Sequence, residues 1–346
     1  MLEAAGDEVR IVHRAGGRAG DGARFAAASM RAGVIYAVDL AVAPVAAGVL
    51  GSAGPGTTLV VDTGDSPADF LRLVSAGRAR VAAARLMERV ALGAADLVVV
   101  RGPYHAAQLR ARGVGNVAVV PDGVDLTVFR PWEDADLRRR LRLDDAFTVG
   151  IQGYFTWFPK LGGGMGWELV HAMAARPDLP IRAVLIGDGP GLAEVRLLAH
   201  RLGVGDRVHV IGRVPYAELP RYLGLCDVCL LTLTDDPASW VRTTGKLPGY
   251  LAAGRYILAT RVGTAADLLP DDMLLDYHGP WDRSYPERLA ERLAEVVVDP
   301  DRRDKGLAVT GLAERFDYDR VAREAADAIR ATTTRAATAA TTAAGS

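Results

Sequence analysis

Three lysines stand out in a chain that otherwise takes its positive charge from arginine. Of 41 basic residues only Lys160, Lys246 and Lys305 are lysines. Lysine carries a compact ammonium with three donors, whereas arginine presents a planar fork, so a retained lysine favours a position that needs a point charge. Lys246 ends the run Thr243-Thr-Gly-Lys246 ahead of a predicted helix. Small residues before a helix let a phosphate approach the backbone amides, so this run is a candidate phosphate site with Lys246 as its cation. The alternative is that Lys246 is an exposed residue in the first turn of the helix.

Two further candidates follow or end short apolar runs that predict strands. Asp65 follows the run Thr58–Asp62, and His13 ends the run Val9–His13. The carboxyl ends of parallel strands share the edge of a sheet at which ligands bind, so His13 lies on the side where a ligand would be expected. Each has a structural alternative. Asp65 is well suited to cap the helix after it, and His13 to an internal structural role.

The two cysteines, Cys226 and Cys229, have a C-x-x-C spacing within an apolar run that predicts a buried strand. Residues three apart on a strand point to opposite faces, so the spacing predicts packing thiols and neither a metal site nor a disulfide. There is also no Asp-x-Asp motif, since Asp62-Thr-Gly-Asp65 has the wrong spacing. Neither pattern predicts a metal site, and we expect no cofactor.

Composition excludes several classes of protein. The 346 residues carry a formal net charge of −1 and only 6% aromatic residues, which argues against a nucleic-acid binder that relies on basic attraction and base stacking. No apolar run reaches the roughly 18–20 residues that span a bilayer. The acidic N-terminus lacks the basic-then-apolar order of a signal peptide, so we expect a cytoplasmic protein.

Short apolar runs alternate with amphipathic stretches through most of the chain, a pattern typical of parallel sheets with crossover helices. A segment rich in turn formers, Pro121–Trp132, separates two such series and predicts an interdomain linker. The predicted organisation is an N-terminal Rossmann-like domain at 1–128, a C-terminal one at 129–312, a closing helix at 313–331 that returns to the first domain, and a disordered Ala/Thr tail at 332–346.

Several motifs in the second half occur in the order seen in glycosyltransferase family 4, and this half resembles that family's nucleotide-binding domain. The matching pieces are Val-Leu-Ile-Gly187-Asp-Gly-Pro190, Val208-His-Val-Ile-Gly212-Arg-Val-Pro, Cys-Asp227-Val-Cys-Leu-Leu, Thr-Gly245-Lys246-Leu-Pro-Gly249-Tyr-Leu-Ala-Ala-Gly254 and, in the linker, Pro121-Asp-Gly-Val-Asp125. Each piece is a weak match alone, and their order makes the resemblance specific. It implies an α/β protein of the GT-B fold, with two Rossmann-like doubly wound domains facing a central cleft.

The resemblance also implies which residues meet a nucleoside-diphosphate sugar. The diphosphate would meet Lys246 and Lys160, with Thr244 and Gly245 at the helix start. Segments around Gly187, Gly189, Gly212, Arg213 and Val214 would form walls of the base pocket. Lys246 and Asp65 are then the catalytic candidates, and Asp65 and His13 the candidates that face the acceptor.

Three departures from the family pattern bear on activity. Gly249 and Val241 stand where the family commonly carries a Glu-x7-Glu pair, whose second member binds the donor ribose. Gly64 replaces the histidine of a His-Asp pair, so only Asp65 remains. The start of the chain resembles the end of the family's first helix and its second strand, and a missing first strand would expose apolar surface for a protein partner to cover. The rival interpretation takes Val9–His13 as the first strand, followed by a glycine-rich loop.

The function expected from these observations is that of a retaining, metal-independent glycosyltransferase. It would move a sugar from a nucleoside-diphosphate sugar to a small-molecule, glycan or lipid acceptor. The alternative is a non-catalytic partner with a GT-B-like shell, favoured by the three departures. A GT-B epimerase would need acid and base carboxylates around the sugar, and the sequence shows none well placed.

Overall fold

The computed structural model describes residues 8–12, 25, 27, 29, 32–38, 49, 56–144, 146–242 and 244–344. The chain divides into two compact units. Unit 1 comprises Met1–Pro121, Trp240–Thr243 and Asp319–Ser346, and unit 2 comprises Asp122–Ser239 and Thr244–Tyr318. The first crossing therefore falls at the start of the Pro121–Trp132 segment, ahead of the predicted boundary at 128.

Unit 1 is built on a parallel sheet whose strands are short runs of Val, Leu and Ile. Its strands are β1 Val34–Val38, β2 Thr58–Thr63, β3 Leu97–Val100 and β4 Val117–Val119, in the order β1-β2-β3-β4. The helices described for residues 56–121 of this unit are α1 Pro67–Leu73, α2 Arg78–Ala94 and α3 Pro103–Ala111. All of β2 and β3 is buried, which is why these strands are apolar throughout instead of alternating.

Helices α1 and α2 are separated at Gly77, which is the N-cap of α2. The predicted strand at Val9–His13 is wrong for residues 9–12, which form no regular structure. His13 itself lies outside the described residues, as do the glycines that follow it.

Unit 2 holds a six-stranded parallel sheet in the order β12-β11-β10-β5-β8-β9. The strands are β5 Phe147–Tyr154, β8 Ile181–Asp188, β9 Val208–Gly212, β10 Val228–Leu231, β11 Tyr256–Thr260 and β12 Leu274–Leu275, and a small antiparallel hairpin is formed by β6 Trp157–Phe158 and β7 Gly163–Gly164. The helices are α4 Ala135–Arg140, α5 Trp167–Ala175, α6 Gly191–Arg201, α7 Leu219–Leu223, α8 Pro237–Trp240, α9 Lys246–Ala252, α10 Thr264–Leu268, α11 Tyr285–Val298 and α12 Arg302–Ala308. With its first strand β5 in the middle, this sheet has the strand order of a Rossmann fold.

The chain ends in a long helix, α13 Tyr318–Ala344, so the predicted disorder of 332–346 is wrong as far as residue 344. Alanine is the strongest helix former, and the threonines satisfy their hydroxyls locally. Thr332, Thr333, Thr334 and Thr338 each donate to the carbonyl four residues earlier. Val321 and Ile329 pack with buried residues of β2 and β3 in unit 1, which anchors the first part of the helix.

The cysteines lie closer together than predicted. Strand β10 begins at Val228, so Cys226 lies in the preceding turn and does not point away from Cys229 as a strand neighbour would. A hydrogen bond with Cys226, together with burial, raises the pKa of the Cys229 thiol. Both cysteines are free and buried in the core of unit 2. Gly150 on β5 makes room for this pair, since a Cβ there would lie 2.1 Å from the Cys226 sulfur.

None of the helices in the described part of the chain is long and apolar enough to cross a bilayer.

Candidate functional site

The candidate donor site lies in unit 2, at the carboxyl edge of its sheet. Strand β5 pairs with β8 on one side and with β10 on the other, so the chain reverses its direction of winding between β5 and β10. The loops that leave these two strands separate at that point and open a crevice, which is where open α/β sheets bind ligands. The loop after β5 begins at Phe155, and α9 follows β10 by way of α8.

Lys246, the first residue of α9, is positioned against the end of β5. Its Nζ lies 3.8 Å from the Met165 sulfur, and a Cβ on Gly153 would come within 2.7 Å of its Cε. Gly153 therefore leaves the space in which the lysine stem lies. A half-buried ammonium at this edge can stabilise negative charge more strongly than one in open water, because the effective dielectric constant is lower.

Thr244 and Gly245 precede Lys246 and belong to the same edge. The Thr244 hydroxyl is buried and has no hydrogen-bond partner among the described residues. A buried hydroxyl without a partner is uncommon, and a bound anion would satisfy it. Helix α9 is only seven residues long. The Lys246 ammonium and the Thr244 hydroxyl are therefore the groups that this segment offers to a phosphate.

Gly187 and Gly189 hold the ends of β5 and β8 together. Their φ angles are +134° and +130°, which disfavour any other residue. A Cβ on Gly187 would lie 1.9 Å from the Gly153 carbonyl oxygen, and one on Gly189 would lie 2.3 Å from that of Phe155. The Phe155 amide donates to Asp188 at 2.7 Å, which closes the contact. These glycines permit backbone to pack on backbone, and so shape the edge beside Lys246.

The remaining predicted donor residues lie on neighbouring segments. Gly212 ends β9, and Arg213, with 84% of its side chain exposed, lies 3.8 Å from Asp188 at the end of β8. Val214 packs against the core of unit 2. Lys160 is exposed in the turn between β6 and β7. The structure thus places Lys246 beside Gly153, which in turn contacts Gly187, and Thr244 and Gly245 directly precede Lys246 in the chain. Lys160 lies on a separate hairpin.

Sequence reasoning missed Glu168, a buried acid near Lys246. Glu168 is the second residue of α5 and is 7% exposed. Burial raises the pKa of Glu168 to about 7, while the positive charge of Lys246 acts in the opposite direction. The carboxyl group therefore titrates near neutral pH within electrostatic reach of the proposed phosphate cation. The signal was available as a lone acid in the apolar run Trp167-Glu-Leu-Val170.

In unit 1, Asp65 is occupied by an ion pair. Its carboxylate accepts a hydrogen bond from the Arg242 guanidinium, which also lies over the ring of Phe70 at 5.1 Å. The interpretation of Asp65 as the cap of α1 is wrong, because the N-cap is Ser66 and Asp65 lies one residue too early. An acceptor hydroxyl at Asp65 would therefore share this carboxylate with Arg242.

A second polar cluster, also missed, lies at the carboxyl edge of the unit 1 sheet. The buried Asp62 accepts from Nη2 of Arg101 at 3.0 Å and from the Tyr36 hydroxyl at 2.6 Å. Burial and the nearby Asp62 charge raise the pKa of Tyr36. Asp62 lies near the end of β2 and Arg101 directly follows β3, so the parallel register of the two strands brings them together.

His105 on α3 is a buried histidine near the same edge. It is 3% exposed, and its Nδ1 has no hydrogen-bond partner within the described part of the chain. Burial, reinforced by the charge of Arg112, lowers the pKa of His105 to about 4, although Asp65 and Asp69 act in the opposite direction. His105 is therefore neutral at physiological pH.

The described residues contain no cluster of three or more His, Cys, Asp or Glu side chains arranged to hold a metal ion. In unit 2 the Lys246 ammonium lies at the end of β5, beside the crevice, which suits the binding of a diphosphate through protein groups.

Comparison with known proteins matches part of the chain to a known family. Residues 167–299, which run from α5 through α11, match the model of the family described as Glycosyl transferases group 1. The second half of the chain is therefore similar to this family. The resemblance inferred from the motifs of the second half is thereby confirmed, and the matched segment includes Gly187, Gly212 and Lys246 of the candidate site.

Curated relatives are of the same kind. The D-inositol 3-phosphate glycosyltransferase of Segniliparus rotundus is 27% identical over 268 residues, covering 75% of this chain and 55% of that protein. A GDP-mannose-dependent alpha-(1-6)-phosphatidylinositol monomannoside mannosyltransferase of Mycobacterium tuberculosis is 31% identical over 191 residues, covering 53% and 47%. The chain spans about half the length of the curated relatives it matches.

Solved structures confirm the predicted GT-B fold. HepE from Anabaena, solved in complex with UDP-glucose, superposes with a TM-score of 0.73 at 19% identity, covering 95% of this chain and 88% of that one. Sucrose-phosphate synthase from Thermosynechococcus elongatus gives a TM-score of 0.72 at 21% identity, covering 91% and 77%. Both solved structures share the fold of units 1 and 2.

Proposed function

We propose that this protein is a retaining glycosyltransferase that binds a nucleoside-diphosphate sugar mainly through unit 2. The observation that carries the proposal is the position of Lys246, which lies beside Gly153 and Met165 where the winding of the Rossmann sheet reverses. The buried Thr244 hydroxyl supplies a donor next to this cation. The HepE structure contains UDP-glucose, which makes a diphosphate sugar the natural first ligand to test.

The chemical role of the site is to stabilise a leaving group. As the glycosidic bond to the diphosphate breaks, negative charge builds up on the phosphate oxygens, and a fixed ammonium near them lowers the barrier. The Lys246 stem is held by contacts, so little reorganisation is needed when that charge develops. No metal ion has to carry the diphosphate in this scheme, and no protein nucleophile is required.

The base and the sugar would meet the neighbouring loops. Main-chain atoms around Gly187, Gly189, Gly212 and Val214 provide donors and acceptors for a base, while Arg213 is exposed and could be replaced at small cost. Lys160 would approach the diphosphate from the β6–β7 hairpin. The curated relatives act on inositol compounds by name, which makes an inositol phosphate or inositol lipid the first acceptor to try.

Calorimetric titration with UDP, GDP and their common sugar conjugates tests the donor site. The three lysines of the chain supply matched variants. Lys246→Ala removes a charge-assisted contact, and we expect it to weaken binding by about ten- to a hundredfold, equivalent to ~1.5–3 kcal/mol. Lys305→Ala is the control. Lys305 lies on α12 and forms ion pairs with Asp272 and Asp299. Lys160→Ala tests the hairpin separately. Equal affinities for the wild type and Lys246→Ala would contradict the proposed site.

A non-catalytic role is the second candidate, and one observation favours it. Gly249 stands where the family commonly has the ribose-binding glutamate, and a Cβ there would lie only 3.2 Å from the ring of Phe129. The corresponding first position, Val241, is 1% exposed and apolar. Neither position can offer a carboxylate to the donor ribose. Donor binding without transfer to any inositol or glycan acceptor, measured by release of nucleoside diphosphate, would favour this alternative and a protein partner on unit 1.

A further inference from the structure

Unit 2 contains a pocket beside α5, in addition to the crevice of the candidate donor site. It has a volume of about 640 Å³, within the range of small-molecule sites. Its lining comes from the β6–β7 turn, one face of α5, the loop before α11 and the first turn of α11, and includes Gly162, Trp167, His171, Trp281, Arg283 and Glu287. None of these residues belongs to the candidate donor site around Lys246.

Two tryptophans form the aromatic wall of this pocket. The rings of Trp167 and Trp281 lie 4.8 Å apart between centroids, and His171 contacts Trp167 at 4.7 Å. Trp167 is 8% exposed, and its ring packs against that of the half-buried Trp281. Gly163 on β7 keeps the space clear, because a Cβ there would lie 2.2 Å from Cη2 of Trp281 and 3.0 Å from Cδ1 of Trp167. The absence of a side chain at Gly163 therefore allows the two indole rings to contact each other.

The loop that carries Trp281 is held in place by its neighbour, Asp282. The buried Asp282 carboxylate accepts from the His278 amide at 2.9 Å, the Ser284 amide at 3.0 Å and Arg288 at 2.6 Å. Burial alone would raise the pKa of Asp282, but these donors hold it at about 2. Trp281 and Arg283 flank this anchored residue, so the pocket is organised before any ligand arrives, which reduces the entropic cost of binding.

The polar groups of the pocket indicate the class of ligand. Arg283 and Glu287 are exposed at its rim and carry opposite charges. An anion would be repelled by Glu287. An acyl chain would form no polar contact with either charged side chain. Burial lowers the pKa of His171, so its neutral ring offers one donor and one acceptor. A pyranose ring matches this arrangement, because it has an apolar C–H face for the indole and a rim of hydroxyls for the polar groups.

We propose that the Trp167–Trp281 pocket binds a hexopyranose unit of a glycan, at a site separate from the donor site. Such a site would keep the protein bound to a glycan chain while the donor site binds the nucleotide sugar. It does not depend on catalysis, and it would exist in the same form in a non-catalytic protein.

The test uses the full chain and four probes: methyl α-D-glucopyranoside, methyl α-D-mannopyranoside, maltotriose and decanoate. Saturation-transfer NMR and tryptophan fluorescence report binding, and for at least one saccharide we expect a Kd of about 1 mM. Trp281→Ala should weaken that binding at least about tenfold, since it removes the stacking surface. Trp132→Ala is the matched control, a partly exposed tryptophan of unit 2 outside the pocket. Arg283→Ala, an exposed change, keeps the test valid if Trp281→Ala fails to fold, and it too should weaken binding.

Three results would overturn the proposal. The first is the absence of saturable binding by every saccharide, and the second is binding of decanoate in their place. The third is equal weakening in Trp281→Ala and Trp132→Ala. Competition also distinguishes this pocket from the donor site: excess UDP and the Lys246→Ala change should both leave saccharide binding unchanged, and displacement by UDP would place the sugar at the donor site.

Discussion

The ion pair of Asp62 and Arg101 offers a prediction whose size follows from its burial. Nη2 of Arg101 lies 2.9 Å and 3.0 Å from the two carboxylate oxygens, and Nη1 donates to the Val120 carbonyl at 3.3 Å. The exposed fraction of the side chain is 6% for Asp62 and 19% for Arg101. Replacing Arg101 by Met leaves a buried carboxylate with the Tyr36 hydroxyl as its remaining donor among these groups.

Removing one partner of a buried pair costs about 3–5 kcal/mol, chiefly because the other charge stays buried. Since part of Arg101 reaches solvent and Tyr36 still donates, we expect the lower end, about 3 kcal/mol. The double variant Asp62→Asn/Arg101→Met should lose much less than the sum of the two single changes, because no charge remains to be desolvated. Urea unfolding of all four proteins at pH 7, with a common m-value, measures the coupling free energy.

The control is the pair of Asp69 and Arg72 on α1, where 46% of the Arg72 side chain is exposed. Arg72→Met should change the free energy of unfolding by no more than about 0.5 kcal/mol. If Arg101→Met costs no more than this control, or if the Asp62 and Arg101 changes are additive, the cluster contributes nothing beyond a surface pair and our reasoning about the edge of the unit 1 sheet is wrong.

Three further predictions concern acid sensitivity, donor affinity and the last helix. The pKa of His105 falls from its usual 6.5 to about 4 in the folded chain, so the stability it contributes is complete above pH 6.5 and is lost as the pH falls towards 4. We expect a loss of about 3 kcal/mol over that range, measured by urea unfolding, and a flatter profile in His105→Gln. Ionised Glu168 competes with a diphosphate for Lys246, so the affinity for a nucleoside-diphosphate sugar should fall as the pH rises through about 7, and calorimetry on Glu168→Gln should show no such fall. Ile329→Ala, a change at a 6% exposed site on α13, should lower the free energy of unfolding in urea by about 2–4 kcal/mol. The control Arg330→Ala, at an exposed site, should leave that free energy unchanged. Equal effects of the two changes would mean that α13 does not pack on the sheet of unit 1.

Much of the fold could be predicted because its strands are buried on both faces. A parallel strand between two layers of helices has no polar side, so Leu97–Val100 and Tyr256–Thr260 are recognisable as uninterrupted apolar runs. The hairpin of Trp157–Phe158 and Gly163–Gly164 had no such signal. Its strands are two residues long, and it exists because its glycines allow close contacts with Thr156, Trp281 and Trp167.

For the site, sequence determined the residue types and their order along the chain. Lys246 was identified from local features: a lone lysine, small residues before it and a helix after it. Those features survive in the folded chain because they depend on neighbours in sequence. The same local reasoning failed for Asp65, where a shift of one residue moved the cap to Ser66 and left the carboxylate to Arg242.

Only the tertiary structure decided which distant residues act together. Asp62 and Arg101 are 39 residues apart and Trp167 and Trp281 are 114 apart, so no periodic pattern links them. Parallel pairing of β2 with β3 aligns the first pair, and a single missing Cβ at Gly163 lets the second pair meet. Burial, which sets the neutral state of His105 and the near-neutral titration of Glu168, is likewise a property of the packed chain. The sequence alone indicated the family resemblance, the strand pattern and the lysine proposed to bind phosphate, because each of these is encoded in adjacent residues.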